Sequence, residues 1–149
     1  TYSIPGIRVG WVASNTEVAD ILRDYRDYTM ICAGVFDDMV ASLVLENKEA
    51  ILERNRQIVE ENLALMDAWI AKEPKASWIR PASVSTSFVK LDVNRPIEDF
   101  ALELLQDYGV LVVPGNRFDK ESHVRIGYCC DKEVLQKGLE KLSQFLNKC

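Results

Sequence analysis

Between residues 47 and 72, apolar side chains return every three or four positions, at Ile51, Ile58, Leu63, Met66, Trp69 and Ile70. That period predicts one helix running the whole stretch. It exceeds the usual length of a globular helix, so it predicts a rod that bridges two structural units. Pro74, inside the KEPKAS stretch, stops the pattern and opens a different organisation.

On either side of this helix the chain alternates helical and extended patterns. Asn15 or Thr16 can cap a helix over residues 17–28, with Val18, Ile21, Leu22 and Tyr25 on one side. A second helix over residues 35–46 carries Phe36, Met39, Val40 and Leu43 at helical spacing. Strands are predicted at residues 9–13, 77–80, 84–93 and 124–129, and in the VLVVPG run that closes on a Pro-Gly turn at Pro114 and Gly115. Pro96 opens a helix with an apolar stripe through Ile97, Phe100, Leu104 and Tyr108, which Gly109 ends. The last helix, residues 131–147, turns Leu135, Leu139, Leu142, Phe145 and Leu146 inward. An α/β class follows, with charges opposite the apolar stripes.

Composition removes several functions. A net charge of −5 argues against a nucleic-acid or anionic-membrane surface, and no apolar run is long enough to span a bilayer. Cys32, Cys129, Cys130 and Cys149 lack the paired spacing of a zinc site, and a bridge between adjacent Cys129 and Cys130 would be strained. Reduced thiols in a soluble, cytoplasmic protein are the expectation, with no metal. His123, beside Val124, is read as a strand-edge histidine with a local partner, a site-lining role being the alternative.

The chain begins TYSIPGIRVGW. Pro5 fixes its φ and Gly6 tolerates conformations closed to other residues, so the turn before Arg8 is stiff. A guanidinium held at the mouth of an apolar strand is a fork for a phosphate or carboxylate, and a surface ion pair is the plain alternative. The string closely resembles the segment that follows the cofactor-bearing lysine in pyridoxal-phosphate enzymes of fold type I, the class I/II aminotransferases. The resemblance makes Arg8 the residue that binds the cofactor phosphate. It also puts the catalytic lysine one place before Thr1, so no residue of this chain is assigned a catalytic role and the stretch alone is expected to be inactive. The expected reason is a break at a lysine carrying the cofactor, with truncation or cleavage as the alternative.

The far end supports the same family. GVLVVPGNRF followed by HVRIGYCCDKEVLQKGLEKL is similar to its small-domain ending, in which a strand arginine, here Arg125, grips the substrate's α-carboxylate. A guanidinium meets a planar carboxylate with two parallel charged hydrogen bonds. The other reading of Arg125 is an internal ion pair with a residue such as Asp131. One departure is PASVSTSF, where the family often carries glycines in the loop beside the substrate, and the loop between Phe118 and His123 is short. Both bear on the substrate side-chain pocket rather than on the cofactor.

The resemblance implies the end of a large α/β cofactor-binding domain over 1–50 and a small α+β C-terminal domain in 51–149. It implies transamination between an amino acid and a 2-keto acid on pyridoxal 5'-phosphate, in a homodimer, with the remainder of the large domain lying upstream of Thr1. Two other readings stay open: a carbon-sulfur β-lyase or decarboxylase of the same fold, and a non-catalytic α/β binding module.

Overall fold

A computed structural model describes residues 2–148 of the 149-residue chain, so Thr1 and Cys149 lie outside the described residues. The chain divides into two compact units, Thr1–Asn55 and Arg56–Cys149. No helix among the described residues is long and apolar enough to cross a membrane.

The first unit contains a 3-10 turn at Pro5–Ile7, helix α1 (Thr16–Thr29), helix α2 (Val35–Glu46) and the start of helix α3 (Lys48–Ile70). Asn15 caps α1, its side chain accepting from the Val18 N–H at 3.0 Å and so satisfying a donor that the first helical turn leaves open. The turn packs against α2. None of the residues of the turn, α1 or α2 is buried. The strand expected at residues 9–13 does not form, and Trp11 and Val12 are 67% and 72% exposed. A β-branched, apolar run has the local preference for a strand, but a strand exists only when a neighbour pairs its N–H and C=O groups. No described residue supplies that pairing here.

The second unit is built on a four-stranded antiparallel sheet in the order β1-β2-β4-β3. The strands are β1 (Ala76–Trp78), β2 (Thr86–Leu91), β3 (Val113–Pro114) and β4 (His123–Gly127), with helices α4 (Ile97–Tyr108) and α5 (Lys132–Leu146) between and after them. Register fixes the faces. Val89 pairs with Val124 and Ser87 with Ile126, and all four are buried. Phe88 pairs with Arg125, Lys90 with His123 and Thr86 with Gly127 on the opposite face.

The buried face meets Leu63 and Met66 of α3, Phe100 and Leu104 of α4, and Leu135, Leu139, Leu142, Phe145 and Leu146 of α5. Each fully buried Leu or Phe contributes about 1.5–3 kcal/mol of transfer free energy, so these stripes hold the helices on one side of the sheet. The opposite face stays open.

Several strands are shorter than their apolar runs. In VLVVPG only Val113 and Pro114 pair, and Leu111 is 76% exposed. β3 is an edge strand with β4 as its one neighbour, and Pro114 has no N–H to extend a ladder. Ile79, expected in β1, is 95% exposed beyond the strand's end.

Two polar locks hold the second unit together along the part of α3 that it contains. Trp69 Nε1 donates to Ser143 Oγ at 2.8 Å, and Ser143 donates on to the buried Glu73 at 2.6 Å. Asn62, only 2% exposed, donates through Nδ2 to the carbonyls of Tyr128 at 2.7 Å and Cys130 at 2.8 Å. Leucine at Asn62 would leave both carbonyls without a donor, at about 1–3 kcal/mol for a buried acceptor. Asn62→Leu is therefore expected to destabilise the protein by about 3 kcal/mol in urea unfolding. An unchanged midpoint would show that the clamp contributes nothing.

Candidate functional site

Arg8 ends the Pro5–Ile7 turn with φ 51°, in the left-handed region that side chains with a Cβ rarely occupy. Pro5 stands at the first helical position, where its fixed φ suits the turn and its missing N–H is no loss. The turn then folds Arg8 back on itself. Its backbone N–H donates to the Pro5 carbonyl at 3.3 Å, and its Nη1 donates to the same oxygen at 2.9 Å. The side chain is exposed and makes no ion pair with a carboxylate among the described residues. One donor is spent on the turn and the others face no competing acid.

Arg125 sits in the middle of β4, opposite Phe88 on one side and Val113 on the other, on the open face of the sheet. It makes no ion pair among the described residues. Asp131, the partner of the alternative reading, instead caps α5 and accepts from the Glu133 N–H at 2.9 Å. What Arg125 touches is aromatic: its guanidinium carbon lies 5.2 Å from the centre of the Phe118 ring. Phe118 meets Phe88 edge to face, with ring centres 5.8 Å apart at 86°. Phe88 in turn stacks on His123 at 5.0 Å and 17°.

His123 begins β4 and has the local partner expected of it. Its Nδ1 lies 2.9 Å from the Glu121 carbonyl, which can only accept, so Nδ1 carries the hydrogen.

A 3-10 turn at Gly115–Phe118 delivers the Phe118 ring. Gly115 is required there, because a Cβ would fall 2.3 Å from the Lys120 carbonyl oxygen and 2.6 Å from that of His123. Glu98, in the first turn of α4, accepts from Asn116 Nδ2 at 2.8 Å and pairs with Arg117, which fixes the turn from its other side. Nothing in the local sequence marks Phe118 or Phe88 as site residues. The Pro-Gly-Asn-Arg-Phe spacing signals a turn, but only the strand register shows that its last ring arrives beside Arg125.

The Cys129 thiol is not poised for nucleophilic work. Partial desolvation by neighbouring atoms pushes the thiol of the otherwise exposed Cys129 above its ordinary value, the adjacent Cys130 adds to the shift, and a protonated thiol is a weak nucleophile. Burial likewise raises Tyr128, which keeps its phenol a donor to the Val84 carbonyl. Cys32, Cys129 and Cys130 are free and exposed, and Cys149 lies outside the described residues. Two clefts of about 490 and 540 Å³ lie in the second unit, and Arg125 lines neither. An open sheet face with a free guanidinium, rather than an enclosed cavity, is the chemically distinctive feature of this unit.

Arg8 belongs to the first unit and Arg125 to the second. Each can take an anion: Arg8 with its uncommitted donors on a stiff turn, Arg125 with a full set of donors beside a ring.

The sequence profile of the family "Aminotransferase class I and II" matches residues 1–142. A solved pyridoxal-phosphate-dependent aminotransferase from Streptococcus suis 89-1591 is 67% identical, with a TM-score of 0.95 over 99% of this chain and 40% of its own. Capreomycidine synthase of Streptomyces vinaceus is 29% identical over 146 residues, which are 97% of this chain and 38% of that protein. A probable N-acetyl-LL-diaminopimelate aminotransferase of Bacillus subtilis is 26% identical over 157 residues, covering 99% of this chain and 38% of its own. The chain thus spans about two fifths of the length of the relatives it matches. Its fold is that of the fold type I pyridoxal-phosphate-dependent transferases, and the chain belongs to the class I and II aminotransferase family.

Proposed function

We propose that this chain is the C-terminal portion of an enzyme that moves an amino group between an amino acid and a 2-keto acid with the help of pyridoxal 5'-phosphate. Arg125 is the anchor for the α-carboxylate and Arg8 the grip on the cofactor phosphate. The observation that carries the reading is the Arg125 guanidinium, set on the open face of an antiparallel sheet with no acid among the described residues to neutralise it.

The residues present fit the cofactor by their donor chemistry. A phosphate dianion needs several N–H donors and no competing carboxylate, and Arg8 offers guanidinium donors on a turn that Pro5 stiffens. When bound, pyridoxal phosphate supplies an electron sink that lets a bond at the substrate's α-carbon break. Arg8 would bind and orient the phosphate, contributing to retention and not to bond breaking. Arg125 would bind the carboxylate shared by amino and keto acids, which fixes how the α-carbon is presented. Both act by positioning.

On this reading residues 1–50 belong to the large cofactor-binding domain and 51–149 to the connecting helix and small domain, which the division between Asn55 and Arg56 supports. The assembly is a cytoplasmic homodimer, and the free, exposed Cys32, Cys129 and Cys130 fit a reducing compartment.

The test is the full-length enzyme with added cofactor, assayed for keto-acid-dependent amino transfer and, in parallel, for pyruvate release from cystathionine. Amino transfer that requires a keto acid is the expected result. Pyruvate release without a keto acid would replace transamination by β-elimination on the same anchors. Bound cofactor with neither reaction would leave a binding module. A cyclisation reading is kept because one solved relative, 26% identical with a TM-score of 0.90, is described as a pyridoxal-phosphate-dependent cyclase; amino-acid consumption with neither keto-acid demand nor pyruvate release would favour it.

A further inference from the structure

We infer that Phe118 is the positioning residue of Arg125, holding the guanidinium against its ring so that all the N–H donors stay available to a carboxylate. The inference rests on the anchoring role proposed above for Arg125. The guanidinium carbon lies 5.2 Å from the Phe118 ring centre, within the range over which a cation is attracted to the face of an aromatic ring.

The choice of a ring has a chemical consequence. A strand arginine on an open face has several rotamers and loses entropy when a ligand fixes one of them. The usual way to fix a guanidinium is a neighbouring Asp or Glu, but that acid takes up the fork and cancels the charge that a substrate carboxylate needs. A ring attracts the cation through its quadrupole and accepts none of the in-plane hydrogen bonds, so orientation is achieved without occupying a donor.

The ring itself is held on several sides. Phe88 meets it edge to face, and His123 stacks on Phe88 while its Nδ1–H is tied to the Glu121 carbonyl. Phe118 ends a turn whose Gly115 lies against the His123 backbone and whose Asn116 and Arg117 are both bound by Glu98. Phe118 nevertheless remains 45% exposed, so its packing role in the core is small and its replacement tests the contact with Arg125 more than the fold.

The experiment uses the holoenzyme with Phe118→Leu and Phe118→Tyr. Each variant is assayed with the amino-acid substrate and with the corresponding amine that lacks the carboxylate, alongside thermal unfolding. Phe118→Leu is expected to raise KM for the amino acid about five-fold, with kcat and the reactivity of the carboxylate-free amine unchanged. Phe118→Tyr, which keeps the ring face, is expected to restore the wild-type KM. An unchanged KM in Phe118→Leu, or an equal loss on both substrates, would overturn the inference. Arg125→Ala run in parallel separates the two failures. A normal KM there removes the anchor itself, whereas a raised KM there with a normal KM in Phe118→Leu removes the positioning role alone.

Discussion

Alanine in place of Arg125 is expected to lower kcat/KM for amino-acid substrates by about 100-fold or more in the full-length enzyme. In the proposed role Arg125 would meet a planar carboxylate with two charged hydrogen bonds, each worth about 1.5–3 kcal/mol, and 1.4 kcal/mol is a factor of ten. Removing both therefore costs at least about 3 kcal/mol of transition-state stabilisation. The loss is expected in KM for the keto acid as well, because the carboxylate is common to both half-reactions. Lysine at the same position keeps a charge but not the fork, so Arg125→Lys is expected to fall between wild type and alanine.

Folding is not expected to confuse the measurement. Arg125 is exposed on the open sheet face, forms no ion pair among the described residues and leaves the buried Val124 and Ile126 on the other face untouched. A near-normal kcat/KM with amino-acid substrates would end the assignment of Arg125 as the carboxylate anchor.

What the sequence reveals about this fold follows the range of the interactions concerned. Helix α2 runs over Val35–Glu46, as its periodicity predicts, and Asn15 caps α1, because helices are set by neighbours within one or two turns. The stripe of α5 is buried at Leu135, Leu139, Leu142, Phe145 and Leu146 for the same reason. Strands depend on distant partners, which the local sequence does not name. Residues 9–13 have strand composition and no pairing, while the VLVVPG run pairs only at Val113 and Pro114. The apolar stripes of α1 and α2 are legible as stripes, yet Val18, Ile21, Phe36 and Met39 are all exposed. Periodicity reveals which face is apolar, not what meets it.

The candidate site divides in the same way. Arg8 and Arg125 stand out because each lies in a distinctive local string. Phe118 does not, since its contact with Arg125 is created by the fold-back at Gly115 and by the register of β4. Asn62 is hidden further still. On a helical pattern it is one polar residue among many, and its partners Tyr128 and Cys130 lie 66 and 68 positions away.

Replacing Arg8 is expected to weaken cofactor retention rather than to abolish chemistry. With one donor committed to the Pro5 carbonyl, the remaining donors suffice for charged hydrogen bonds of about 1.5–3 kcal/mol each to a phosphate. Loss of this grip corresponds to a cofactor dissociation constant raised about 10-fold or more. The check is cofactor content after dialysis, followed by activity titrated with excess pyridoxal phosphate, which is expected to restore the variant. The backbone supplies a control that separates the grip from the turn. At φ 51° Arg8 carries the strain of a left-handed residue with a Cβ, about 1–2 kcal/mol, and alanine retains that strain whereas glycine does not. Arg8→Ala and Arg8→Gly are thus expected to lose the cofactor equally while differing in thermal stability, with glycine the higher. Full retention of cofactor by both variants would take the phosphate from Arg8. Loss by alanine alone would trace the effect to the turn instead of the guanidinium.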